Sequence, residues 1–266
     1  MKFRTMLLAS AAVMFTTSAF AEDFTNPFYL PAQGKVISDT RIETSRMKMD
    51  DGSAEAADKN LIAAEELTVG VVDNLALVGR IRNHFDVDEE YNNDHNFDYK
   101  IGAKYNMAFG KVMTQVGFAY NTYDPESWYG QNYSEETGSS DRWSKALEGT
   151  VKLGYAFDCG LTPYTSFTVN GDIDQAVREQ EYSWFVGAHK AWEKVAVDGG
   201  LRYDWGRDID EEGSDKTEAL FAQAQVDYFV KDNVTVGAYG DLYLGGDERK
   251  DVDYGYTLGL AAKVLF

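Results

Sequence analysis

Cysteine is nearly absent from this 266-residue chain: Cys159 stands alone, which rules out an internal disulfide and a disulfide-built scaffold. Basic residues are scarce, 25 Lys and Arg against 44 Asp and Glu, for a formal net charge of −19. Phosphate binding needs a concentrated basic surface, and none is encoded, so nucleic acid is excluded as a partner. Beyond residue 21 no apolar run approaches the roughly 20 residues that a membrane-spanning helix requires. Histidine is limited to His84, His95 and His189. There is no Gly-x-Ser-x-Gly elbow and no His-Glu-x-x-His, so a serine nucleophile and a zinc-activated water both lack their usual setting; the expectation is a protein with no catalytic residues, cofactor or metal centre.

What is present is packing material. The chain carries 17 Tyr, 15 Phe, 5 Trp and 24 Gly, and 44% of it is apolar, too much for a disordered acidic tail. Residues 1–21 begin with Lys2 and Arg4, run through an apolar stretch over 6–15, and end Ser18-Ala19-Phe20-Ala21. A basic start, a short apolar core and small residues three and one before a cut describe a secretory signal cleaved after Ala21. The apolar run is about half the length of a spanning helix, and no cysteine follows the cut, so lipidation is not indicated. The expected organisation is a signal peptide over 1–21, a periplasmic segment over 22–33 and one folded unit over 34–266.

That unit reads as strands. Phe97, Tyr99, Ile101, Ala103, Tyr105 and Met107 alternate with Asp98, Lys100, Gly102, Lys104 and Asn106, and a period of two means one apolar and one polar face. The pattern recurs along the chain and predicts strands over about 34–49, 60–72, 75–87, 97–108, 111–123, 142–157, 161–170, 181–191, 195–206, 217–230, 234–244 and 254–266. The helix formers within 53–67 leave room for a short helix in the first long connection. Connections alternate between tight turns, such as Asp73-Asn74, and long polar segments, such as 124–141. A soluble sandwich gives no reason for strict alternation; a membrane barrel with short turns on one side and long loops on the other does. The fold class expected is therefore all-β, a transmembrane antiparallel β-barrel of about 12 strands, with 10 or 14 as alternatives.

Charge follows the same division. The six long connections hold 27 acidic and 7 basic residues, which places nearly all of the negative charge on one rim. Carboxylate-rich loops solubilise a rim, bind divalent cations that also bridge the anionic lipid headgroups of an outer leaflet, or collect cations at a channel mouth. Asp208-x-Asp210-x-Glu212-Gly213 opens like a calcium loop, but Ala219 falls where the closing glutamate belongs, so no specific metal site is assigned.

The terminal run alternates Tyr256, Leu258, Leu260 and Val264 up to Phe266. Here the chain resembles Gram-negative outer-membrane β-barrel proteins, from signal peptide to last residue. The resemblance implies that Tyr256, Leu258, Leu260, Val264 and Phe266 form the signal read by the barrel-assembly machinery. It also implies an outer-membrane location, with long loops outside and both mature ends in the periplasm. A twelve-stranded count is similar to small monomeric porins for sugar acids and to outer-membrane phospholipases. Oligogalacturonate-type porins carry a markedly basic lumen, from which this chain departs.

Twelve strands about 4.8 Å apart, tilted by about 40°, enclose a backbone radius of roughly 12 Å. The polar parity then points Arg41, Arg80, Arg82, Asp98, Lys100, Lys104, Glu148, Lys152, Asp198, Arg202, Asp204, Asp227 and Asp241 inward as candidate solute contacts, together with Asp39, Glu43, Glu66 and Lys263. Opposite signs nearly match. Across water they set up a transverse field suited to passive diffusion of small polar solutes; interlocked, or covered by residues 22–31 folded inward, they close the barrel into a structural or adhesive scaffold whose acidic loops bind a partner, divalent cations or lipopolysaccharide. Arg80 and Arg82 form a basic stripe that either holds an anionic solute or pairs with Asp98. Trp143, Trp184, Trp192 and Trp205 are expected near strand ends as an interfacial girdle. His95 beside Asp94, and His189 with Ser183 on its face, are the nearest approaches to acid–base pairs.

Overall fold

The computed structural model describes residues 23–49, 60–85, 97–123, 144–173, 178–209, 216–246 and 252–266. They form twelve strands: β1 (Val36–Met49), β2 (Asn60–Val72), β3 (Leu75–Phe85), β4 (Phe97–Phe109), β5 (Val112–Tyr123), β6 (Ser144–Tyr155), β7 (Leu161–Asp172), β8 (Arg178–Ala191), β9 (Val195–Ile209), β10 (Lys216–Lys231), β11 (Val234–Gly245) and β12 (Val252–Leu265). Each pairs antiparallel with its neighbours in sequence, and β1 pairs with β12, so the sheet closes and no edge is left. The expected count and all twelve positions hold, with boundaries moved by one to three residues at most ends. Of the helix formers within 53–67, residues 60–67 belong to strand β2; residues 53–59, the signal peptide, Trp143, His95 and most of the calcium-like run lie outside the described residues.

The tight turns set the register. Val72 pairs with Leu75 across Asp73-Asn74, and Asn74 has φ 68°; Gly110, between β4 and β5, has φ 64°. A right-twisted hairpin with so short a connection needs the left-handed region, which asparagine and glycine tolerate. Alternation then sorts the faces. Ile101, Phe118 and Leu260 are 68%, 61% and 67% exposed on the outside, whereas Asp98 and His189 are each 1% exposed within. This is a hydrophobic exterior around a polar interior, the inverse of a soluble barrel.

Trp184 departs from the girdle expectation. Strand β8 starts at Arg178 rather than near 181, so Trp184 sits at mid-strand on the outer face, where its Nε1 donates to Thr165 Oγ1 at 2.8 Å. With Trp205, Val151, Leu153, Thr165 and Phe167 it lines an outward groove of about 290 Å³. Trp192 is at a strand end as expected, with Lys190 Nζ 5.2 Å from the centre of its ring.

Candidate functional site

The interior is built from the polar parity of every strand, and all the inward-predicted charges stand on that face. Most are paired. Arg82 Nε donates to Asp98 Oδ2 at 2.8 Å, with Nη2 on the same oxygen. Lys100 reaches Glu148 at 2.6 Å and Lys104 reaches Glu66 at 3.2 Å. Arg202 bridges Asp204 at 2.8 Å and Asp241 at 2.9 Å. Arg41 pairs with Asp39 on its own strand at 2.9 Å, and Lys263 with Asp227 at 3.2 Å. Neutral donors complete the network: Tyr239 OH donates to Glu43 at 2.6 Å, Tyr164 OH to Asp198 at 2.8 Å, and Gln223 to Asp241 at 2.9 Å.

Signs separate around the ring. Strands β3 to β6 carry Arg80, Arg82, Lys100, Lys104 and Lys152 against Asp98 and Glu148; β9 to β12 with β1 carry Asp198, Asp204, Asp227, Asp241, Asp39 and Glu43 against Arg202, Lys263 and Arg41. The two walls face each other, one with cations in excess and one with anions. Arg80 and Arg82 part company here. Arg82 takes the structural pairing with Asp98, whereas Arg80 forms no salt bridge among the described residues and its buried Nε has no acceptor, although Glu66, Glu148 and Asp98 act on its charge through space. Lys152 also lacks a carboxylate within bonding distance and donates instead to the Pro27 carbonyl at 3.1 Å.

That carbonyl belongs to the part of the site which strand periodicity could not foresee in detail. Residues 23–32 fold into the short-turn end of the barrel. Phe24 and Phe28 are 4% and 5% exposed; Phe24 meets Phe229 of β10 edge-on at 5.8 Å, and Phe28 meets Tyr164 of β7 at 5.9 Å. Asn106 of β4 donates to the Phe28 carbonyl and is itself held by Gln115 at 2.9 Å. Asp23 Oδ2 lies 2.9 Å from His189 Nε2, whose Nδ1 is 3.6 Å from Asp198. Burial works against an ionised Asp23, but the bond to His189 and its charge outweigh that, with Thr25 as a further donor, and hold the carboxyl below the usual carboxylate range. The contacts run from β4 and β6 on one wall to β8 and β10 on the other, so the segment crosses the opening.

Two glycines in the wall mark where it presses. A Cβ on Gly70 would stand 2.2 Å from the backbone oxygens of Pro31 and Ala32, and one on Gly154 would stand 2.6 Å from the Phe28 ring. The only trace of this in the sequence is Phe24 and Phe28 in a polar, Pro-containing stretch; nothing there links them to glycines in distant strands.

No protein-family model and no curated protein sequence matches the chain. Solved structures do. An outer-membrane channel from Pseudomonas putida F1 superposes with a TM-score of 0.64 over 91% of this chain and 98% of its own, at 10% identity. The fold is that of a bacterial outer-membrane β-barrel. The NanC porin superposes with a TM-score of 0.56 over 85% of this chain and 98% of its own, at 8% identity. At such identities the likeness is one of architecture, and the chemistry of the interior has to be argued from the side chains above.

Proposed function

We propose that the protein is an outer-membrane channel for passive diffusion of small polar solutes, and that its two oppositely charged walls set the selectivity. The observation that carries this reading is Arg80: an inward guanidinium, on the wall with cations in excess, that feels the charges of Glu66, Glu148 and Asp98 but forms no salt bridge with a described carboxylate and whose buried Nε has no acceptor. A buried charge left unpaired costs free energy, and a passing anionic group offsets that cost. A solute carrying both signs would present its acidic end to Arg80 and its cationic end to the facing wall, where carboxylates are in excess. Arg41, Lys100, Lys104, Glu148, Lys152, Asp198, Arg202 and Asp227 shape the field without being free to bind.

The orientation in this reading has the long acidic loops outside, both mature ends in the periplasm, and the outward Tyr256, Leu258, Leu260, Val264 and Phe266 presented to the assembly machinery and then to lipid. The protein is not an enzyme in this reading: His189, the nearest approach to a catalytic base, is taken up between Asp23 and Asp198.

A second reading is favoured by one specific observation. Residues 23–32 cross the short-turn mouth, and most interior charges interlock, as a closed structural barrel requires. Its external loops would then be the working surface, with divalent cations or lipopolysaccharide as their partners. Planar-bilayer conductance of refolded protein, with and without residues 23–31, tests the pair. Steps in either form, with ion selectivity altered by Arg80→Ala, support the channel. Silence from folded, inserted barrels that lack the segment refutes it and leaves the closed scaffold.

A further inference from the structure

On the outer face of the strands, acidic and basic side chains are confined to the rims, with one exception. Among the described side chains, Lys145, Lys190 and Glu218 point outward within three residues of a strand end. Glu65 does so from the middle of the 13-residue strand β2. Its outward position follows from the register. It pairs with Thr40 of β1 and with Ile81 of β3, both exposed on that face, while its neighbour Glu66 points inward to Lys104.

Glu65 is held in place. Ser38 Oγ donates to one carboxyl oxygen at 2.6 Å, and Thr40 Oγ1 donates to the other. The surrounding surface is low and partly polar: Thr44 lies one turn of alternation beyond Ile42 on β1, Ala262 of β12 pairs with Thr40, and Gly79 of β3 pairs with Leu67. A Cβ on Gly79 would meet open space. Strand β1 thus presents Ser38, Thr40 and Thr44 where other strands present leucine, valine or aromatic rings.

Hydrocarbon gives a carboxyl group no partner, and an acidic group on the lipid face is destabilising even when paired locally. Lipid headgroups lie at the rims, out of reach of mid-strand. A protein surface with polar groups at the same depth satisfies Glu65. Every copy of this chain inserts with the same polarity, so two copies related by an axis along the membrane normal bring equal depths together. The patch holds acceptors, the carboxyl of Glu65 and the oxygens of the Ser38 and Thr40 hydroxyls that already donate to it, and a donor in the Thr44 hydroxyl, and is therefore complementary to itself. We propose that the outer face of β1 and β2 is the contact between copies of this chain, with Glu65 and its hydroxyl partners meeting their counterparts at mid-membrane. This rests on the membrane placement in the proposed function, and not on the lumen being open.

The experiment is oxidative cross-linking of the full-length protein in outer membranes, in a Cys159→Ser background. Thr40→Cys should give a covalent dimer of this chain, and Val151→Cys, outward on the far side of the barrel, should not. Adding Glu65→Leu should abolish the dimer, and Glu65→Gln should retain it; heat-modifiable gel mobility checks that each variant is a folded barrel, and membrane fractionation checks placement separately. Absence of a dimer from folded, membrane-embedded Thr40→Cys, equal yields at both positions, or a cross-link to a protein of another mass would overturn the proposal.

Discussion

Replacing Phe28 by alanine should loosen the N-terminal segment without touching the barrel. The ring is almost fully buried between Tyr164 and the bare backbone at Gly154. Returning a buried phenylalanine to water costs about 2 kcal/mol, and because 1.4 kcal/mol is tenfold, that shifts the balance between docked and undocked segment by roughly 30-fold. The Asn106 and Lys152 bonds go to backbone carbonyls and survive the substitution, so the segment is weakened rather than lost. Gly70→Ala should act in the same direction from the opposite side, since its methyl group would stand 2.2 Å from two backbone oxygens, which cannot swing aside as a side-chain tip does. Single-channel recording reads the result as a rise in the open fraction that approaches the conductance of the form lacking residues 23–31. If Phe28→Ala, Gly70→Ala and the truncated form all conduct as the parent does, the segment does not obstruct the passage and the reasoning fails.

Other outcomes follow from the same contacts. Asp23 is held below its ordinary carboxylate range, so its contribution to docking is complete above about pH 4 and is lost as pH falls through the lowered value; channel openings should increase on acidification to that range, and Asp23→Asn should reproduce the acid behaviour at neutral pH. Arg80→Gln should reduce preference for anions in reversal-potential measurements at a smaller cost in thermal stability than loss of a bonded cation, because Arg80 acts on Glu66, Glu148 and Asp98 through space and each of these keeps its own bonded lysine or arginine. Arg82→Ala should do the reverse: it leaves Asp98, 1% exposed, without its main counter-charge and costs about 3 kcal/mol in denaturant unfolding. The double variant Arg82→Ala with Asp98→Ala should recover part of that loss, and equal stability of the single and double variants would show that the pair is not coupled.

The barrel was legible because its two faces meet different solvents, so period two persists through all twelve strands and each tight turn restarts it. The inward set followed from the same rule, down to Arg82 meeting Asp98 on the next strand, as cross-strand neighbours on one face must. Strand boundaries were less legible at the long-loop end. Polar residues such as Asp172, Glu179 and Asp208 read as connection, yet backbone pairing continues through them, because a barrel wall can stand clear of the hydrocarbon and needs no apolar face there. The docking of residues 23–32 had no periodicity to betray it. Its evidence is pairwise, a phenylalanine against a glycine 126 residues later, and such a pairing has no signature in a single sequence.

Glu65 and Glu66 show why residue type alone could not locate the interesting chemistry. They are adjacent and chemically identical, and both are bonded, yet the pleat sends one into a field of lysines and the other onto the apolar outer face. On the inner face a carboxylate is ordinary, since Lys104 stabilises it. On the outer face the same group conflicts with its surroundings, and its two hydroxyl donors relieve that conflict only in part. Conflicts that persist at one position in an otherwise regular pattern are where a second requirement acts on the structure. In the interior that requirement falls on Arg80, the arginine whose buried Nε has no acceptor; on the exterior it falls on Glu65. The two are separable by experiment: loss of Arg80 should change what the barrel passes and not what it adheres to, and loss of Glu65 should change association and leave ion selectivity as it was.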